Sequence, residues 1–203
     1  MKKSYKRDIL VLSLLFISLL VLLLFNKTSF LDDYFYNKLI LLESNNLTNY
    51  FLFITKFANS ITIVILSVIS LIPLIFKYKK TLFLIGAIII STILNQSLKH
   101  IIKRDRPIVI NKIIENGYSF PSGHAMASVT FYGFIIYLII SSKMSPSKKW
   151  ILSLLLLFLI INICLSRIYL GVHFTTDVLA GVMLSCILLV ITIHFIEKIN
   201  WHN

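Results

Sequence analysis

The 203-residue sequence predicts an all-α integral membrane protein: a six-transmembrane-helix bundle with a short interfacial helix between spans one and two. Two observations carry this prediction. Hydrophobic residues make up 58% of the chain and charged residues only 14%, against about 45–50% and about 25% in soluble domains. The apolar residues also fall in long runs. Six stretches, 9–25, 50–76, 82–98, 123–141, 150–166 and 175–196, approach the roughly 20 residues a bilayer requires. A water-soluble globule has no core large enough for this much apolar surface, so soluble, disordered and disulfide-stapled classes are excluded together. Cys164 and Cys186 both lie inside apolar runs, and their spacing matches no metal motif.

The stretches read as helices, because in lipid a helix satisfies its own backbone hydrogen bonds, and the alternating pattern of a barrel strand is absent. The first follows Lys2, Lys3, Lys6 and Arg7, as a signal peptide would. Phe25-Asn26-Lys27 offers no small-residue cleavage site, so it is read as an uncleaved span. The second is long and carries Lys56, which predicts a start in the headgroup region or a tilt. Between them, residues 29–49 place Leu31, Phe35, Leu39 and Leu42 on one helical face, with Asp32, Asp33, Asn37 and Lys38 elsewhere. That is the pattern of a helix lying in the interface; it offers one wall for a lateral entrance, but amphipathicity alone identifies only the location. A connector packed on the bundle gives the same pattern. The whole chain, 1–203, reads as one membrane-embedded domain.

Positive-inside bias puts both termini in the cytoplasm. The inner segments then hold Lys2, Lys3, Lys6 and Arg7; Lys77, Lys79 and Lys80; Lys143, Lys148 and Lys149; and Lys198. The two short inner loops contain no acid. A second basic cluster, Lys99, Lys103, Arg104, Arg106, Lys112 and Arg167, falls on the outer side, where depletion is the rule. It contributes to a net charge of +12 and calls for a separate cause.

Three polar segments stand at the outer ends of the spans, where ionisable groups mark function. In 99–107, Lys99, Lys103 and Arg106 share one face if the helix continues. Taken alone, the segment fits a basic, lipid-facing interface better than a site. In 121–124, Pro121-Ser122-Gly123-His124 predicts a helix start with Ser122 as N-cap and His124 in the first turn. Free N–H groups there suit an anion, and Gly123 permits close approach to the backbone. Taken alone, it is an ordinary helix start. In 166–177, His173 and Asp177 are four residues apart, so on a helix the carboxylate reaches the imidazole and fixes its tautomer. A structural His–Asp pair has the same spacing. The predicted topology brings the three segments to one face, with cations, backbone donors, two imidazoles and an orienting acid. That inventory suits phosphoryl transfer, whose catalysis is mostly positioning and charge stabilisation.

Lys99-x6-Arg106-Pro107, Pro121-Ser122-Gly123-His124 and Ser166-Arg167-x5-His173-x3-Asp177 resemble the three-part signature of the type 2 phosphatidic acid phosphatases. That superfamily includes bacterial phosphatidylglycerophosphate and undecaprenyl-pyrophosphate phosphatases and the vanadium haloperoxidases. All signature positions are present in order. The resemblance implies a membrane lipid phosphate or pyrophosphate phosphatase without cofactor or metal. It implies that His173 attacks phosphorus to form a phosphohistidine, that Asp177 orients it, and that His124 protonates the leaving oxygen. Lys99, Arg106, Ser122, Gly123 and Arg167 are implied to bind the phosphoryl oxygens. Lys103 and Arg104 lie outside the signature and are assigned to headgroup or substrate contacts.

The resemblance, together with an outward site, implies undecaprenyl pyrophosphate as the first expected substrate; phosphatidylglycerophosphate or phosphatidic acid is the second. A non-catalytic lipid-phosphate binder or transporter is the alternative of another class, and intact His124, His173 and Asp177 argue against it. Nucleic acid is not an expected partner, since no soluble basic surface with interleaved aromatics lies outside the spans. The expected location is the plasma membrane, with the site on the extracytoplasmic face.

Overall fold

The computed structural model describes residues 5–75, 80–108 and 112–199. Lys2, Lys3, Lys77 and Lys79 of the inner segments, and Phe76 at the end of the second stretch, lie outside the described residues. The described chain is helical, in the order α1 (Tyr5–Leu24), α2 (Ser29–Ile40), α3 (Asn45–Ile54), a 3-10 turn (Thr55–Ala58), α4 (Ser60–Ile75), α5 (Lys80–Ile102), α6 (Gly123–Ser141), α7 (Pro146–Tyr169) and α8 (Thr175–Lys198).

Five of these helices, α1 and α5 to α8, are long and apolar enough to cross a membrane. The second stretch is not one straight helix: Asn45–Ala58 and Ser60–Ile69 meet at 53°, the geometry of either a broken span or a re-entrant loop, so the described residues hold five such helices, or six spans if the bent pair is counted as one. The break follows from the 3-10 turn and from Asn59, which is extended at φ −62 and ψ 144. Lys56 sits exposed in that turn, next to the break. The segment 29–49 likewise divides, into α2 and the start of α3, whose N-cap Ser44 accepts the Leu47 N–H at 3.2 Å.

Helix α6 is the centre of the bundle and packs on α5, α7 and α8; α1 packs along α8. The buried stripe of α5 runs Leu84, Ala87, Ser91, Asn95. It keeps one face toward α6 at helical spacing and turns polar toward the end that carries Lys99. On the far side, Leu10, Leu14 and Ile17 of α1 and Ile151, Leu154 and Phe158 of α7 are exposed, as lipid-facing residues are. Hydrocarbon gives no hydrophobic drive to helix association, so close approach at small residues matters more. Gly181 of α8 is such a point: a Cβ there would lie 2.9 Å from the Ser122 carbonyl oxygen.

The hydroxyl of Tyr5 donates to Glu197, and its ring lies 4.9 Å from that of His194. The start of α1 and the end of α8 therefore lie together. They are separated from the start of α8 by its 24 residues, about 36 Å of helix.

Candidate active site

The C-terminal ends of α5 and α7 and the N-terminal ends of α6 and α8 bring the three polar segments together. Helix α5 stops at Ile102 because Lys103 adopts a left-handed φ of +51. The face expected to join Lys99, Lys103 and Arg106 is thereby broken. Lys103 points to the exterior, whereas Arg104 and Arg106 turn inward. Helix α7 ends at Tyr169, and Gly171 makes the return at φ +75, a conformation open to a residue without Cβ. His173 lies in this return, ahead of α8, and not on a shared helix with Asp177. The His173 N–H donates to the Arg167 carbonyl at 3.2 Å, which fixes the imidazole's backbone against the end of α7.

His173 and Asp177 face one another, with Nδ1 3.6 Å from Oδ2. That is longer than a hydrogen bond, and Nδ1 has no hydrogen-bond partner. Asp177 Oδ2 accepts the Phe174 N–H at 3.0 Å, capping α8, and Oδ1 accepts from Arg104 Nη1 at 2.6 Å. The other ring nitrogen, Nε2, lies 3.5 Å from Arg106 Nη1. Burial pushes His173 down to about 4, against the opposing pull of Asp177, so the ring is neutral at neutral pH.

Arg167 is fully buried, donates from Nη1 to Thr55 Oγ1 at 2.7 Å, and pairs through Nη2 with Glu115 Oε1. Glu115 Oε2 lies 3.3 Å from Arg106 Nη2. Arg106 also donates to the Gly117, Val172 and Asn116 carbonyls at 3.0, 2.8 and 3.1 Å. Burial would raise the Glu115 carboxyl, but Arg167 above all reverses the sign and holds it below the usual carboxylate range. An ionised carboxylate thus spans two of the cations expected to bind phosphate. Lys99 Nζ donates to the Tyr118 carbonyl, within electrostatic reach of Arg106, Glu115 and Arg167.

Ser122 is the residue before α6, as expected, but makes no side-chain cap bond. Its Oγ is buried without a partner, as is Arg167 Nε, while its N–H donates to the Asp177 carbonyl at 3.0 Å. Gly123 begins α6 beside Asn95, whose Oδ1 would lie 3.3 Å from a Cβ at that position. His124 Nε2 donates to Asn59 Oδ1 at 2.8 Å, so the break in the second stretch supplies a partner to this imidazole.

The eight residues expected to react or to bind phosphate therefore lie in one neighbourhood, Lys103 stays outside it, and Arg104, Asp32, Thr55, Asn59 and Glu115 join it. Arg104, assigned to headgroup or substrate contacts, instead pairs with Asp177 and with Asp32 of α2. Asp32, expected off the apolar face, is buried there because Arg104 and Thr176 receive it. Thr55, Asn59 and Glu115 carried no motif. The available signal for Glu115 was an acid in a segment otherwise rich in cations; Thr55 and Asn59 gave none.

The family model described as the PAP2 superfamily matches residues 80–201. The chain belongs to the PAP2 superfamily. It is 36% identical over 129 residues to phosphatidylglycerophosphatase B of Bacillus subtilis, covering 62% of this chain and 64% of the relative. It is 31% identical over 105 residues to human sphingosine-1-phosphate phosphatase 2, covering 49% of this chain and 26% of that one. The matches thus span somewhat less than two thirds of the first relative and about a quarter of the second. Among solved structures, a transmembrane PAP2-type phosphatidylglycerolphosphate phosphatase from Bacillus subtilis superposes with a TM-score of 0.89 at 29% identity, over 97% of this chain and 99% of that one. Aquifex aeolicus LpxE shares the fold at a TM-score of 0.65 and 24% identity, over 81% of this chain and 95% of that one. The PAP2 match begins at α5 and covers all three polar segments; α1 to α4, which supply Asp32, Thr55 and Asn59, lie before it.

Proposed function

We propose that this PAP2 protein is a multi-pass lipid phosphate phosphatase that works through a phosphohistidine. The carrying observation is Glu115, whose carboxylate bridges Arg106 and Arg167: the pocket is built around an anion. A substrate phosphoryl group replaces that carboxylate and also engages Lys99, Ser122 Oγ and Arg167 Nε. The last two are buried donors left unmade, which costs about 1–3 kcal/mol each until an acceptor arrives.

Neutral His173 attacks phosphorus through Nε2, the nitrogen facing Arg106. The new N–P bond forms as the P–O bond to the lipid breaks. His124, as the imidazolium formed with the substrate anion bound, keeps Nε2–H on Asn59 and gives its Nδ1 proton to the leaving alkoxide, and Asp177 stabilises the charge gained by His173. Water, deprotonated by His124, then attacks the phosphohistidine, and inorganic phosphate leaves.

His124 also indicates where the lipid lies. It lines a cavity of about 310 Å³ between α4, α5 and α6, whose lining includes polar Asn95, Gln96 and Thr92 and apolar Ile63 and Val64. The leaving lipid alcohol must contact the acid that protonates it, so this cavity takes the lipid side. Phe35 of α2, offered from the sequence as one wall of an entrance, borders a second apolar cavity of about 450 Å³ whose lining contains none of the expected site residues.

Two of the relatives are a phosphatidylglycerophosphatase and a sphingosine-1-phosphate phosphatase, which puts phosphatidylglycerophosphate ahead of undecaprenyl pyrophosphate and reverses the order expected from the resemblance and an outward site. Acid-free inner loops support a plasma-membrane protein with both termini cytoplasmic and the site outside. The deciding experiment is phosphate release from a panel of both lipid classes, in EDTA, comparing wild type with His173→Ala. Release that survives in the folded variant rejects the mechanism.

A further inference from the structure

We propose that Arg104 and Asp32 form a positioning pair that sets the Asp177 carboxylate, and through it His173, so that helix α2 is part of the reaction centre. The inference rests on the phosphohistidine reading above. Neither residue belongs to the three-part signature.

The geometry is that of one guanidinium held between two buried carboxylates. Arg104 Nη1 donates to Asp177 Oδ1 at 2.6 Å and to Thr176 Oγ1 at 2.8 Å. Its Nη2 donates to Asp32 Oδ2 at 2.7 Å. The Phe174 ring lies under the cation, 3.9 Å from the guanidinium carbon. Asp32 Oδ1 in turn accepts the Thr176 N–H at 2.9 Å, so the acid of α2 is fastened to the first turn of α8 as well as to Arg104. The Arg104 backbone is fixed from the other side, because the Ser119 N–H donates to its carbonyl at 2.8 Å. Buried charges persist only when paired and hydrogen-bonded, and each of these three groups meets that condition.

The consequence for the reaction concerns the aim of Asp177. With Oδ1 held by Arg104 and Oδ2 by the Phe174 N–H, the carboxylate cannot rotate, and Oδ2 is presented to His173 Nδ1. Without Arg104 a single N–H would orient it. The pair also sets the local field. His173 is faced by Asp177 from α8, Arg167 from α7, His124 from α6, and Arg106 and Glu115 from the segment between α5 and α6. Arg104 adds a positive charge behind Asp177 and Asp32 a negative charge behind Arg104. Removing the cation favours protonated His173; removing the outer acid disfavours it. A purely structural contact predicts no such opposition of sign.

The test uses full-length protein in lipid nanodiscs, comparing wild type, Arg104→Gln, Arg104→Lys, Asp32→Asn and the double variant Arg104→Gln/Asp32→Asn. Phosphate release from a lipid phosphomonoester is followed across pH, and the His173 imidazole is titrated separately by NMR of histidine-labelled protein. Arg104→Gln is expected to lower kcat by about 100-fold with little change in KM, as loss of orientation does. Its His173 titration is expected to rise by about one unit, and that of Asp32→Asn to fall. The double variant should titrate near wild type, and Arg104→Lys should keep the titration while recovering part of kcat. Unmoved titrations in the folded variants overturn the proposal, as does a loss in Arg104→Gln confined to KM, which would make Arg104 a substrate contact. If Arg104→Gln does not fold, Asp32→Asn decides alone by the direction of its shift. If wild type releases no phosphate from any lipid, the phosphatase reading fails while the NMR titrations still decide the pair.

Discussion

His124 Nε2 and Asn59 Oδ1 lie 2.8 Å apart, and Asn59 is the residue at which the second apolar stretch bends. The bend and the imidazole are therefore one feature: the extended backbone at Asn59 turns its side chain toward α6. Asn59→Ala is expected to leave the His124 ring without its anchor and to reduce kcat by about 10- to 100-fold, since small misplacements of a reacting group cost that much. Steady-state kinetics on folded, monodisperse protein checks this, and an unchanged kcat refutes it.

Glu115 competes with any anion for Arg106 and Arg167. Glu115→Gln keeps the shape and removes the charge. The variant is expected to bind inorganic phosphate and vanadate about tenfold more tightly, about 1.4 kcal/mol of relieved competition. It should also be less stable without ligand, because buried Arg167 loses its counter-charge. Product-inhibition constants and thermal unfolding with and without phosphate read the two effects, and unchanged constants show that the carboxylate does not stand in the phosphate position.

His173 is pushed below its unfolded value of 6.5, to about 4, by burial first. A depressed histidine favours folding fully above the unfolded value and loses that contribution as pH falls, because the unfolded chain takes the proton first. Between about pH 6.5 and 4 the slope from this group is about 1.4 kcal/mol per pH unit. His173→Gln removes it, so the variant's stability relative to wild type is expected to improve as pH falls through that window. Paired denaturant unfolding curves at pH 7.5 and 5 measure the difference. Parallel losses in the two proteins would show that the group does not titrate this way.

Gly181 faces the Ser122 carbonyl, and a methyl carbon added at Gly181 would stand 2.9 Å from that oxygen. The oxygen is backbone, so α8 or the start of α6 must shift. Gly181→Ala is expected to cost about 1–3 kcal/mol and to lower activity more than Gly86→Ala, where a Cβ meets nothing within 4 Å. Equal behaviour of the two variants would mean that α8 does not hold Ser122 in place.

Much of this protein was determined by its sequence read in one dimension. Run length and composition dictate spans, because the bilayer core is a solvent of known thickness that acts on each run separately. The His, Arg and Lys positions of the three polar segments were legible for a related reason: charge at the ends of apolar runs is costly enough to stand out. The tertiary structure decided what those groups face. Asp32 and Asn59 read as ordinary polar residues until folding brought them to Arg104, 72 residues away, and His124, 65 residues away. Arg104 and Arg106 differ by two positions, yet one holds Asp177 and the other lies beside His173 Nε2, because Lys103 turns the chain at φ +51. Helical periodicity carried past Ile102 could not foresee that turn. Hydrophobic runs are local properties, whereas the pairing of buried charges is settled only where separate helices meet.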